Sequence, residues 1–174
     1  MSIETLFLES TISRFKEYKL LGEKTFAQLD EIQMKHQPNN DSNSIAIIMQ
    51  HLHGNMLSRW TNFLTEDGEK EWRRRDEEFE TQSHSKEQLL QLWNKGWQLF
   101  LTTLESLQES DLLKTITIRT KPLVVIDAIN RQLAHYSYHV GQIVYLGRWM
   151  KENGWQSLSI PKGNSQVYNQ EMKM

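Results

Sequence analysis

Apolar residues recur at the helical interval in four stretches of the chain. The first runs from about Ile3 into the low thirties, with Leu8, Ile12 and Phe15 on one stripe. The second follows the turn-rich QPNNDSNS and runs to about Leu64. Asp41, Ser42 and Asn43 all suit its N-cap, because a short side-chain oxygen can accept a free backbone N–H. The third opens on SKEQ, where Ser85 and Gln88 have the spacing of a reciprocal capping box. Its stripe is Leu89, Leu92, Trp93, Phe100, Leu104 and Leu107. The fourth starts near Pro122, since a residue without an N–H loses nothing in a first helical turn. It ends near KENG, where Gly154 suits the residue just past a helix.

The remaining stretches do not repeat at that interval. TITIRT alternates apolar and polar residues of β-branched type, which predicts a short strand or one arm of a hairpin before the last helix. Thr65 to Ser83 is charged, and Trp72 and Phe79 are the aromatic residues expected to pin it to the helices. The tail WQSLSIPKGNSQVYNQ is too polar for a further core helix and is expected to run extended over the surface. Three prolines and eight glycines in 174 residues favour long helices. The expectation is a single all-α domain over residues 1–174, a four-helix bundle with one long and two shorter connections. Facing helices of such a bundle project side chains into a shared, partly dry middle, where metals and cofactors are held.

Charge removes some partners. The formal net charge is -2, so no overall field recruits nucleic acid or an anionic membrane. Arg73-Arg74-Arg75 is followed at once by Asp76-Glu77-Glu78, which reads as a self-neutralising solvated surface. No apolar run approaches the ~20 residues that span a bilayer. The start MSIETLFLES has no basic segment and carries Glu4 and Glu9, so a secretory leader is not expected. A cytoplasmic location follows as the expectation. Cysteine is absent, which excludes disulfides, thiolate ligands and a cysteine nucleophile. Any metal must therefore be held by His, Asp or Glu. No serine sits in a G-x-S-x-G turn, and there is no Gly-rich phosphate loop.

The remaining chemistry lies in HYSYHVGQ. His135 and His139 are four apart and share a helix face. Extending that row gives Ala128, Gln132, His135, His139, Gln142 and Leu146, a polar seam beside apolar Ile129, Leu133, Val140 and Ile143. Such a seam is costly unless its groups find partners. The second predicted helix offers one in IIMQHLHGN. His51 lies at the phase flanked by Ile47 and Ile48, whereas His53 is rotated by roughly 200° from it. Three imidazoles from two helices suit Zn²⁺, Ni²⁺ or a similar borderline ion with a position left open. Tyr136 stands where a zincin protease needs its glutamate base. Spacing alone leaves two readings standing, a metal site and a set of histidines with satisfied hydrogen bonds.

SIAIIMQHLHGN, followed some eighty residues later by HYSYHVGQI, resembles the DinB/YfiT-like superfamily of metalloenzymes, and the likeness covers nearly the whole chain. GNMLSRWTNFLTEDGEKEWRRRDEEF and SLSIPKGNSQVYN look more narrowly like a subfamily labelled only as a domain of unknown function. The resemblance implies an antiparallel four-helix bundle and a metal held by His51, His135 and His139. It also implies a homodimer and a metal-dependent S-transferase using a low-molecular-weight thiol and a small-molecule substrate. A metal-dependent hydrolase and a non-catalytic metal-binding or structural bundle are the alternatives.

Candidates to act on a substrate are Asn55 and Arg59, one and two turns beyond His51, and Gln142, three residues after His139. For each the plain alternative is a structural hydrogen bond or ion pair. Tyr138, Tyr145 and Trp149 fall off the histidine seam on the fourth helix. A monomer needs only one buried stripe per helix, so this second face predicts a contact between two copies.

Overall fold

The computed structural model describes residues 1–172. They form six helices and one two-stranded hairpin: α1 (Ile3–Phe26), α2 (Glu31–Lys35), α3 (Ile45–Trp60), α4 (Lys86–Ser106), β1 (Thr115–Ile118), β2 (Lys121–Val124), α5 (Val125–Lys151) and α6 (Ser165–Glu171). The four long helices are the four periodic stretches. α3 lies against α4 and α5, and α1 packs on α5 and α4, so the core is shared among all four. No helix among the described residues is long and apolar enough to cross a membrane.

Helix boundaries follow local capping. Ser85 and Gln88 form the expected capping box at the start of α4. The first stretch is interrupted because Asp30 and Gln33 make a second capping box, which stops α1 at Phe26 and restarts the chain as α2. α3 is capped by Ser44, one residue beyond the three expected candidates, whose hydroxyl accepts from Ile47 N. It ends at Trp60 rather than Leu64, and Asn62 turns out of the helix at φ 50°.

Pro122 does not open a helix. It lies in β2 opposite Thr117, where a two-stranded ribbon tolerates its missing N–H. α5 begins at Val125, and its first amides donate to Lys114 O and Leu112 O instead of to a capping side chain. The turn of α5 into the tail is made by Glu152 at φ 46°, two residues before the expected Gly154. The tail carries the short, exposed α6 where an extended run was expected.

The core beneath the histidine seam is aromatic. Phe15, Trp97, Phe100 and Tyr136 pack edge to face, with Phe15 and Phe100 centroids 4.5 Å apart. Tyr136 is fully buried, and its hydroxyl accepts from Trp60 Nε1 at 3.1 Å and donates to Asn55 Oδ1 at 3.1 Å. Leaving that hydroxyl without a partner would cost about 1–3 kcal/mol. The bond therefore fixes the depth and rotation of α5 against α3, one residue from His135.

The connection from α3 to α4 is only partly a solvated strap. Lys70 and Arg73 are buried, whereas Trp72 is 54% exposed and pins nothing. Asp67 accepts from the amides of Glu69, Arg119 and Thr120, tying the connection to the hairpin turn. Glu69 pairs with Arg59 and Arg119 from either side.

Candidate metal centre

His51 on α3 and His135 and His139 on α5 bring one ring nitrogen each to within 4.8 Å of the other two. His135 Nε2 is 3.3 Å from His51 Nε2 and 3.1 Å from His139 Nε2. His51 and His139 are buried and His135 is half-buried. The four-residue spacing stacks His135 over His139, and the Tyr136 anchor sets both opposite His51.

The outer nitrogens decide how the inner ones are used. His51 Nδ1 is 2.9 Å from Glu78 Oε2, His139 Nδ1 is 2.8 Å from Gln142 Oε1, and His135 Nδ1 is 3.3 Å from Gln132 Oε1. An ionised carboxylate and two amide oxygens only accept hydrogen bonds. With Gln132 and Gln142 turned so that Oε1 faces the ring, each Nδ1 carries the proton and each Nε2 presents its lone pair to the other two. Three converging lone pairs repel one another unless a cation lies between them. Oxygen partners of this kind on the far nitrogen are how metal-ligating histidines are oriented and made more basic. The donor set thus fits a borderline divalent ion.

Burial pushes the His135 imidazole down to about 3, with the neighbouring imidazoles adding to the effect. Burial likewise takes His139 down to about 4, against the hydrogen bond it donates to Gln142. Both rings are neutral at pH 7, the form that ligates. Burial by itself would raise the Glu78 pKa, but hydrogen bonds from His51 and Arg73 and the Arg73 charge outweigh it and hold the carboxyl below its usual range.

Glu78 and Arg73 belong to a run whose pattern reads as solvated surface. The structure instead folds them inward. Arg73 makes a two-point fork to Glu78, with Nε to Oε1 at 2.7 Å and Nη2 to Oε2 at 2.9 Å. Phe79 lies over the His51 ring at 4.7 Å, and Arg75 stands over Phe79. Nothing in six consecutive charged residues marks which one turns in.

The other candidates are placed as follows. His53 stays outside the cluster, donating from Nδ1 to Leu92 O at 2.8 Å. His36 is exposed and His84 half-buried in the connections. Asn55 is engaged by Tyr136, and Arg59 reaches Gly68 O and Glu69, so both make structural contacts. Gln142 touches the cluster through His139 and also lines a cavity of about 380 Å³ with Asp41, Asn43, Ile48 and Tyr145.

Residues 2–164 match a family described as a protein of unknown function (DUF1572). The chain belongs to the DUF1572 family. A search of the curated proteins gives no match. Membership in DUF1572 carries no activity with it, and the reading of the site rests on its geometry.

Proposed function

We propose that this DUF1572 protein is a metalloenzyme of the DinB/YfiT-like kind, in which His51, His135 and His139 hold one divalent ion, Zn²⁺ or Ni²⁺. The observation that carries the reading is the convergence of three Nε2 lone pairs, each backed by an oxygen at Nδ1. In this reading α1, α3, α4 and α5 form the antiparallel four-helix bundle of that superfamily, one cytoplasmic domain that pairs into a homodimer.

An ion with three neutral donors keeps its full charge and supplies Lewis acidity, which acidifies a thiol or a water. Thiol-dependent S-transfer to a small electrophile is the first reading, on the resemblance to that superfamily. The chain has no cysteine, so the thiol comes from a low-molecular-weight cosubstrate. Hydrolysis is the second, because the uncompensated charge of a tri-imidazole site serves it equally well. The protein's own contribution is to keep three imidazoles neutral and aimed. The half-buried His135 leaves the cluster accessible on its side.

Elemental analysis and Zn²⁺ titration of protein purified without a histidine tag test the centre. One ion per chain is expected, lost in His51→Ala, His135→Ala and His139→Ala and kept in His53→Ala. Equal loss in the His51 and His53 variants, or no uptake by the native chain, overturns it. Turnover of a model electrophile with added thiol, against an ester without thiol, separates transferase from hydrolase.

A further inference from the structure

The three imidazoles are not held alike. His135 and His139 lean on neutral amides, whereas His51 alone leans on a carboxylate. That carboxylate comes from a separate segment, Asp76–Phe79, laid along α3. Gln50 fastens the segment's backbone by donating to Glu80 O at 3.1 Å. The approach is possible because residue 54 is glycine. A Cβ on Gly54 would sit 2.2 Å from Glu78 Oε1 and 2.6 Å from its carboxyl carbon. Glycine inside a helix is destabilising relative to alanine. Gly54 nevertheless stands one turn beyond His51, on the path of the carboxylate.

We propose that Glu78, admitted by Gly54 and held by the Arg73 fork, is a positioning residue that fixes His51 as its Nδ1–H tautomer with Nε2 aimed at His135 and His139. Its service to an ion rests on the metal reading above; the tautomer assignment does not. Arg73 has a second role here. Its side chain is 2% exposed and that of Glu78 9%, and its fork donates to both carboxylate oxygens, so Glu78 is turned to His51 as an acceptor. With Glu78 an acceptor only, His51 has one tautomer available. An amide at position 78 could also donate to Nδ1 and would permit the other.

The test is nitrogen NMR of the imidazoles in the metal-free full chain, joined to Zn²⁺ affinity by competition with a chelator. The native protein should show His51 protonated at Nδ1 alone. Glu78→Gln should show mixed tautomers and bind Zn²⁺ about 10- to 100-fold more weakly. Gly54→Ala removes no polar group yet should move both readouts the same way, because its Cβ displaces the carboxylate. Glu77→Gln, on the exposed neighbour, should change neither. A native His51 protonated at Nε2, or wild-type tautomer and affinity in both the Glu78 and Gly54 variants, overturns the proposal. If the native chain takes up no Zn²⁺, the metal reading falls, and the tautomer spectra still decide the role of Glu78.

Discussion

Neutral imidazoles at His135 and His139 give the metal-free protein a defined response to acid. Their folded-state pKa values, about 3 and about 4, lie below the ordinary value of ~6.5. Between those limits the unfolded chain binds protons that the folded chain refuses. Stability is therefore complete above about pH 6.5 and is lost as the pH falls from there, by up to ~1.4 kcal/mol per pH unit for each refused proton. Urea unfolding of the metal-free chain at pH 7 and pH 5 should show the loss, and His135→Gln should reduce it. Equal stability at the two pH values would contradict the burial assigned to these rings. At this scale the three histidines were legible, because a helical period converts spacing into direction. Glu78 was not, since its partner is 27 residues away and its neighbours are equally charged. Gly54 was a visible mark without an assignment, for a mid-helix glycine signals a close approach and does not say of what.

The hairpin illustrates a local rule overridden by a distant residue. Arg119 and Thr120 form its two-residue turn with φ 55° and 62°, a conformation that favours Gly or Asn. Asp67 makes it tenable by accepting from both turn amides at 2.9 and 2.8 Å. Burial alone would raise the Asp67 pKa, but three amide hydrogen bonds prevail and take it down to about 2. Thr120→Gly relieves a left-handed β-branched residue and should raise stability by about 0.5–1 kcal/mol after the entropy cost of glycine. Asp67→Ala should lower it; a rise in its melting midpoint would show that the turn does not depend on the clamp. TITIRT disclosed β1 by alternation, but β2 carries Pro122, which reads equally as a helix start. The capping box at Ser85 was legible because both partners lie within four residues. The break between α1 and α2 has the same chemistry at Asp30 and Gln33, hidden there inside an uninterrupted apolar period.

Across the whole molecule, α3 and α5 are joined by the Tyr136 hydroxyl and by the histidine cluster. A metal bound only by the native state stabilises it by about 2.7 kcal/mol at a hundredfold excess over its dissociation constant. Chelation should therefore lower the melting midpoint of metal-loaded protein at pH 7 and still do so at pH 5, because His135 and His139 in the folded chain take up protons only near pH 3 to 4. The apolar core should keep the chain folded in either case. An unchanged midpoint in protein shown beforehand to be loaded would reject the clamp. Tyr138, Tyr145 and Trp149 remain 60%, 72% and 53% exposed along α5. Sedimentation at micromolar concentration should give a dimer if this face pairs two copies, and a clean monomer mass would reject it. The ligands' positions in the chain also set an order of assembly during synthesis. His51 and Glu78 emerge from the ribosome well before α5, so their hydrogen bond can form while the nascent chain still lacks His135 and His139. A single imidazole is a poor trap for an ion. The three-imidazole cluster closes only when His139 has been made and docked, so on the metal reading the growing chain offers an ion no complete site before its fold is ready.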